Sequence, residues 1–196
     1  MAGMSGSLRL LERAICYTQE SMDAVVAGFG PLPTPCRDWD LHDLLVHVND
    51  SLTVLQQGAE LGFIDHYPLR DGQDECRDPT SVLVTTFPAR ARRLLHACAD
   101  AAQSDGRIAV GGLPIAPTLV MVSGAVEIAV HGWDISVACG YHHPIPATLA
   151  LGMLSLSQLV VDNWMRESLF NAPVRVSPLA SPSDQLVAFL GRRPVV

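Results

Sequence analysis

The sequence predicts an all-α fold, a helical bundle with up-and-down or crossover connections. Three observations carry this. Apolar residues recur at helical spacing in several long segments, no stretch alternates convincingly as a strand does, and Gly- and Pro-rich connectors separate the segments. The length of 196 residues points to one domain over residues 1–196. Hydrophobic residues make up 48% and charged residues 17%, which excludes a disordered chain and supplies a core without cross-links.

The elements follow in order. Leu8, Leu11, Ile15, Met22, Val25 and Phe29 share a helix face, predicting a first helix over residues 6–28, closed by Gly28 and Gly30. The connector GPLPTPCRDWD is stiffened by three prolines. A second helix starts after Asp40, an N-cap with Asp43 three residues on, and buries Leu41, Leu44, Leu45, Val48, Leu52 and Leu55. It ends near Gly58 to Gly62, and the polar stretch 63–79 reads as a surface loop. A third helix covers residues 81–102, with Pro88 kinking it or marking a late start. Residues 104–117 form another Gly/Pro connector, with room for two short strands near Ile108–Val110. The fourth helix, residues 118–139, is apolar on nearly every side and should be central, with Gly140 its stop. A fifth helix over 147–166 and a short last one over 184–190, before Gly191, complete the chain.

Charge narrows the function classes. Twenty acidic residues face thirteen basic ones, all Arg, for a net charge of −7. There is no basic field to attract a phosphate backbone, so nucleic acid is not an expected partner. The most apolar window, Ile108 to Val126, is interrupted by Gly111, Gly112, Pro114 and Pro117 and runs into Glu127, so it reads as a loop and a buried half-helix, not a membrane span. The start, MAGMSGSLRLLERA, lacks the pattern of a signal peptide, and the five scattered cysteines contain no C-x-x-C. The expected setting is cytoplasmic and reducing.

Chemistry concentrates in GAVEIAVHGWDIS. Glu127 and His131 are four apart on the central helix and so share a face, which Asp134 joins. An ionised Glu in the most apolar helix is costly unless it is paired or binds a metal. His47, in the middle of the second helix beside its core stripe, is the third member if the two helices face each other. One carboxylate and two imidazoles suit Zn²⁺ first, with Ni²⁺ or Fe²⁺ as alternatives, and leave coordination positions for water or a thiol. The plainer reading pairs Glu127 with His131 in a structural bundle. Among other motifs, H-E-x-x-H, the P-loop, G-x-G-x-x-G and G-x-S-x-G are all missing from the sequence. His142 and His143 read as solvated loop residues. Cys36 precedes the second helix, where the helix dipole can lower a thiol's pKa, though it also suits simple packing.

PTPCRDWDLHDLLVH, EIAVHGWDISVACG and the closing DQLVAFLGRRP together resemble actinobacterial proteins related to the N-terminal domain of mycothiol-dependent maleylpyruvate isomerase, within the DinB/YfiT-like superfamily. The resemblance implies a DinB-like four-helix bundle plus short accessory helices. It also implies a divalent metal near one end of the bundle, held by residues that here are His47, Glu127 and His131, and a mycothiol cofactor. In the motif, Trp39 and Trp133 are packing residues, and Asp134 either orients a ligand imidazole or supports helix packing. The motif's usual Pro-Gly before Trp39 is Arg37-Asp38 here. The isomerase's second domain, which contributes to its active site, has no counterpart in residues 1–196, so the metal site and the thiol are what carry over. A mycothiol-dependent metalloenzyme, joining the thiol to a small electrophile or isomerising it, is therefore the first expectation. A metal-binding stress or sensor-like bundle without turnover is the alternative, and a metal-independent enzyme using Cys36 stands behind both. Related bundles also pair, so a homodimer remains open.

Overall fold

A computed structural model describes residues 2–25, 31–36, 39–64, 79–103, 106–160 and 171–195. The chain is all-α apart from one small sheet, as the apolar periodicity predicts. In order the elements are α1 (Ala2–Met22), α2 (Leu41–Leu61), β1 (Phe63–Ile64), α3 (Thr80–Ala101), β2 (Ile108–Val110), β3 (Leu113–Ile115), α4 (Pro117–Ala138), α5 (Ala147–Val160) and α6 (Pro182–Phe189). α1 lies along α4, α2 lies along α3 and also against α4, and α6 packs on α5.

α4 is the central element. Its mean composition is so apolar that most of its surface must be covered, and Val120, Met121, Ala125, Ile128, Ala129, Val130, Trp133 and Ile135 are buried. It is also the described helix long and apolar enough to cross a membrane, but most of it is buried inside this fold. α1 covers one flank with Leu11, Ala14, Ile15, Thr18 and Met22, spaced by three and four residues. α2 covers another, and all six of its predicted core positions are buried. Its start is fixed locally. The Asp40 carboxylate accepts from the Asp43 amide at 2.9 Å while the Asp43 carboxylate accepts from the Asp40 amide at 3.3 Å, a reciprocal capping box. Gly62, at φ +78°, closes the helix in the left-handed conformation.

Several boundaries differ from expectation. α1 ends at Met22, earlier than residue 28, because the chain turns: Ala24 and Val25 donate back to Ser21 and Met22 over three residues. The expected stops Gly28 and Gly30 lie outside the described residues. α3 starts at Thr80 and runs through Pro88 without a break. The proline forfeits one backbone bond, but Phe87 beside it is fully buried, and the Thr85 and Thr86 hydroxyls donate to the Ser81 and Val82 carbonyls in the preceding turn. The loop expected from residue 63 begins instead with strand β1, and the 104–117 connector folds as a hairpin. β2 and β3 pair antiparallel around Gly111-Gly112, both at positive φ (+55° and +80°), while β1 adds parallel to β2. Strands of two and three residues are too short to show alternation. Residues 65–78 and the predicted end of the fifth helix, 161–166, lie outside the described residues.

Candidate metal centre

The second helix and the central helix do face each other at His47. The His47 Nε2 lies 2.6 Å from Glu127 Oε1, and the His131 Nε2 lies 3.2 Å from the same oxygen. The His47 and His131 rings meet edge to face, with centroids 4.9 Å apart. Ligand-capable atoms of these three residues fall within 4.8 Å of one another. The i, i+4 spacing puts Glu127 over the turn that carries His131, and the α2–α4 contact supplies His47.

The centre is graded in depth. His47 and Glu127 side chains are 17% and 22% exposed, His131 is 8% exposed, and Asp134 behind it is fully buried. Asp134 Oδ2 lies 3.0 Å from His131 Nδ1. That bond keeps a proton on Nδ1 and turns Nε2 toward Glu127 and His47. Trp39 closes another side, its ring 4.5 Å from that of His47 and 6.0 Å from that of His131.

Electrostatics lock the carboxylates in their charged forms. Burial alone would raise the Glu127 pKa, but the charge of His131 and the hydrogen bonds from both histidines hold it well below the usual range. Burial alone would lower the His131 pKa, yet Glu127, with the bond to Asp134, lifts it well above the ordinary value. Asp134 is also pushed up by burial and pulled down further, first by Arg192 and then by His131.

Two more residues belong to this cluster: Arg192, which no sequence pattern singles out, and Cys36, the candidate thiol before α2. Arg192, just after α6, forks onto Asp134 through Nη2 to Oδ2 at 3.0 Å and Nε to Oδ1 at 3.4 Å. Cys36 Sγ lies 3.1 Å from Asp134 Oδ2, 3.4 Å from Arg192 Nη2 and 3.7 Å from His131 Nδ1. Thr34 pins the connector that carries Cys36, donating to the Trp39 carbonyl at 2.9 Å and accepting from the Cys36 amide at 3.1 Å. One signal could have pointed to Arg192. A buried Asp in an apolar helix needs a cation, and Arg is the only strong cation this chain has; spacing could not say which one. Arg37 and Asp38 lie outside the described residues.

The expectation of two solvated loop histidines holds for His142 only. His143 is sandwiched between Tyr17 and Tyr141, at 4.8 and 5.2 Å, because the Tyr17 hydroxyl donates to its carbonyl at 2.6 Å and draws the loop onto α1.

A helical chain with two imidazoles converging on one carboxylate oxygen between neighbouring helices defines the class. Residues 20–136 match the family described as mycothiol maleylpyruvate isomerase N-terminal domain, and the chain belongs to that mycothiol-related, metal-binding family. No curated protein and no solved structure matches the chain.

Proposed function

We propose that His47, Glu127 and His131 hold a divalent metal ion, Zn²⁺ before Ni²⁺ or Fe²⁺, in a mycothiol-dependent enzyme acting on a small electrophile. The observation that carries this is the meeting of His47 Nε2 and His131 Nε2 on one oxygen of Glu127. The donor set fits a divalent ion: both Nε2 atoms converge on one point, where an ion would take the place of the protons they share with Glu127, and His131 is backed by a carboxylate in the arrangement that raises ligand basicity. Three protein ligands leave positions open, which marks a catalytic more than a structural site.

A bound ion would supply Lewis acidity, lowering the pKa of the cofactor thiol so that it is a thiolate nucleophile at neutral pH. The chain's residues do the rest. Glu127 offsets the ion's charge, Trp39 shields the His47 side from water, and the partly exposed His47–Glu127 edge leaves an approach for the thiol. Bound there, the thiol would supply a nucleophile either for displacement, in which the leaving group departs with its electron pair, or for reversible addition to an activated double bond, whose electron pair moves onto the activating group and returns as the thiolate is expelled.

The test is metal content of protein purified without a metal-binding tag. About one equivalent in the wild type, lost in His47→Ala and His131→Ala, supports the reading. A folded wild type that takes up neither Zn²⁺ nor Ni²⁺ overturns it. Mycothiol binding that survives complete chelation overturns the thiol part alone.

A further inference from the structure

The closing helix ends in a way that aims one side chain. Gly191 sits at φ +84°, its amide donating to Ala188, while the Arg192 amide donates to the Val187 carbonyl at 2.9 Å. These two bonds form a Schellman motif, which reverses the chain immediately after α6. A Cβ at residue 191 would sit 2.6–2.8 Å from Asn171, including its backbone, so glycine is required twice over. The reversal sends the Arg192 side chain inward until it is 9% exposed. There Nη1 donates to the Leu190 carbonyl at 3.0 Å, and Nε and Nη2 fork onto the two oxygens of Asp134.

We infer that Arg192 is a positioning residue for the metal centre, acting through Asp134 on His131. This rests on the metal reading above. Asp134 Oδ2 is shared by three donors, from Arg192, His131 and Cys36. A carboxylate can rotate about its terminal torsion, so one bond to His131 would leave its plane undefined. The guanidinium fork fixes that plane, because two parallel N–H groups must meet two oxygens. With the plane fixed, Oδ2 holds the His131 Nδ1–H in one direction, and the ring on its far side presents Nε2 to Glu127 and His47. Arg192 also supplies the charge that lets a fully buried carboxylate remain ionised. The contact bridges 58 residues of sequence, so the C-terminal segment completes a centre whose ligands all lie before residue 132.

The alternative is that the Arg192–Asp134 pair only fastens α6 to the bundle. Titration of metal-free protein with Co²⁺, followed by displacement with Zn²⁺, separates the two, since affinity and the Co²⁺ visible band report ligand geometry. Arg192→Met should weaken binding roughly 10- to 100-fold and alter the band, the range typical for losing a partner of a ligating histidine. Arg192→Lys should recover only part, since it restores charge without the fork. Folded Arg192→Met with wild-type affinity and band overturns the inference. Should that variant fail to fold, Arg192→Gln, which keeps a hydrogen-bond donor near Asp134 but removes the fork and the charge, carries the test: weakened binding with an altered band supports the inference, and wild-type values overturn it. A folded wild type that binds no Co²⁺, or a His47→Ala variant that binds it normally, overturns the metal reading itself and this inference with it.

Discussion

Thr18 of α1 and Gly132 of α4 are in direct contact: the Thr18 hydroxyl donates to the Ile128 carbonyl at 2.8 Å, and a Cβ on Gly132 would lie 2.5 Å from the Thr18 hydroxyl oxygen. The missing side chain is what lets α1 seat on α4 one residue beyond His131. Gly132→Ala should therefore cost about 1–3 kcal/mol by overpacking. Thermal unfolding of Gly132→Ala, Thr18→Ala and the double variant checks it. The double variant should be less destabilised than the sum, and only partly rescued, because the Thr18 Cα stays 3.0 Å away. Simple additivity would contradict a direct contact.

Metal should stabilise the folded chain, since its proposed ligands come together only on folding. Saturating to about a hundred times the dissociation constant should add about 2.7 kcal/mol, and a chelator should remove it. Differential scanning fluorimetry with Zn²⁺ measures the shift. His47→Ala should abolish it while leaving the metal-free melting temperature within a few degrees, because His47 is at the edge of the core rather than in it.

Trp39 should report metal binding. Its ring lies 4.5 Å from His47, close enough that fixing the imidazole on a metal changes the indole's surroundings. Intrinsic fluorescence should change on Ni²⁺ or Zn²⁺ addition in the wild type and lose most of that response in Trp39→Phe. An unchanged response in the variant would mean another tryptophan senses the metal.

Stability should fall in alkali. Burial pushes the Cys98 thiol up from its ordinary 9.0 to about 11. A raised pKa in the folded state means its contribution is complete below pH 9 and is lost as pH rises toward 11, since only the unfolded chain ionises in that window. The full loss, reached above pH 11, is about 3 kcal/mol. Tyr17, also raised chiefly by burial, adds the same sign at higher pH. Urea midpoints at pH 8 and pH 10.5 should differ less in Cys98→Ala than in the wild type.

The N-cap of α2 should matter beyond its own helix. Asp40→Ala removes the capping box, worth about 1 kcal/mol, and loosens the helix start to which the backbone bridge between Pro33 and Asp40 ties the connector. Helix content and melting temperature should both drop slightly, and hydrogen exchange at Leu41 and Leu44 should accelerate. Exchange unaltered there would show that the connector alone holds the helix start.

Much of the fold was legible because its signals are local. The six core positions of α2, its Asp40–Asp43 box and the all-round apolarity of α4 are statements about neighbours on one helix. The end of α1 was not legible, since the apolar spacing continues through Val25 while the backbone turns at Asp23. The 104–117 connector leaves room for the short strands β2 and β3, but three-residue strands show no period, so their pairing with β1 into one sheet was not legible. In the centre, Glu127 and His131 could be paired from their spacing, and His47 from its place beside a core stripe. Arg192 and Cys36 could not, as they reach Asp134 across 58 and 98 residues.

The helical segments, the apolar face of each and the shared face of Glu127 and His131 follow from local pattern, because a 3.6-residue period settles side-chain direction within a helix. The Nε2 atoms of His47 and His131 meet on one Glu127 oxygen, and Arg192 returns to Asp134 behind them, through packing between distant segments. Those meetings depend on how each helix is rotated and how closely it approaches its neighbour. Burial of the whole apolar surface sets both, down to the absent side chain at Gly132.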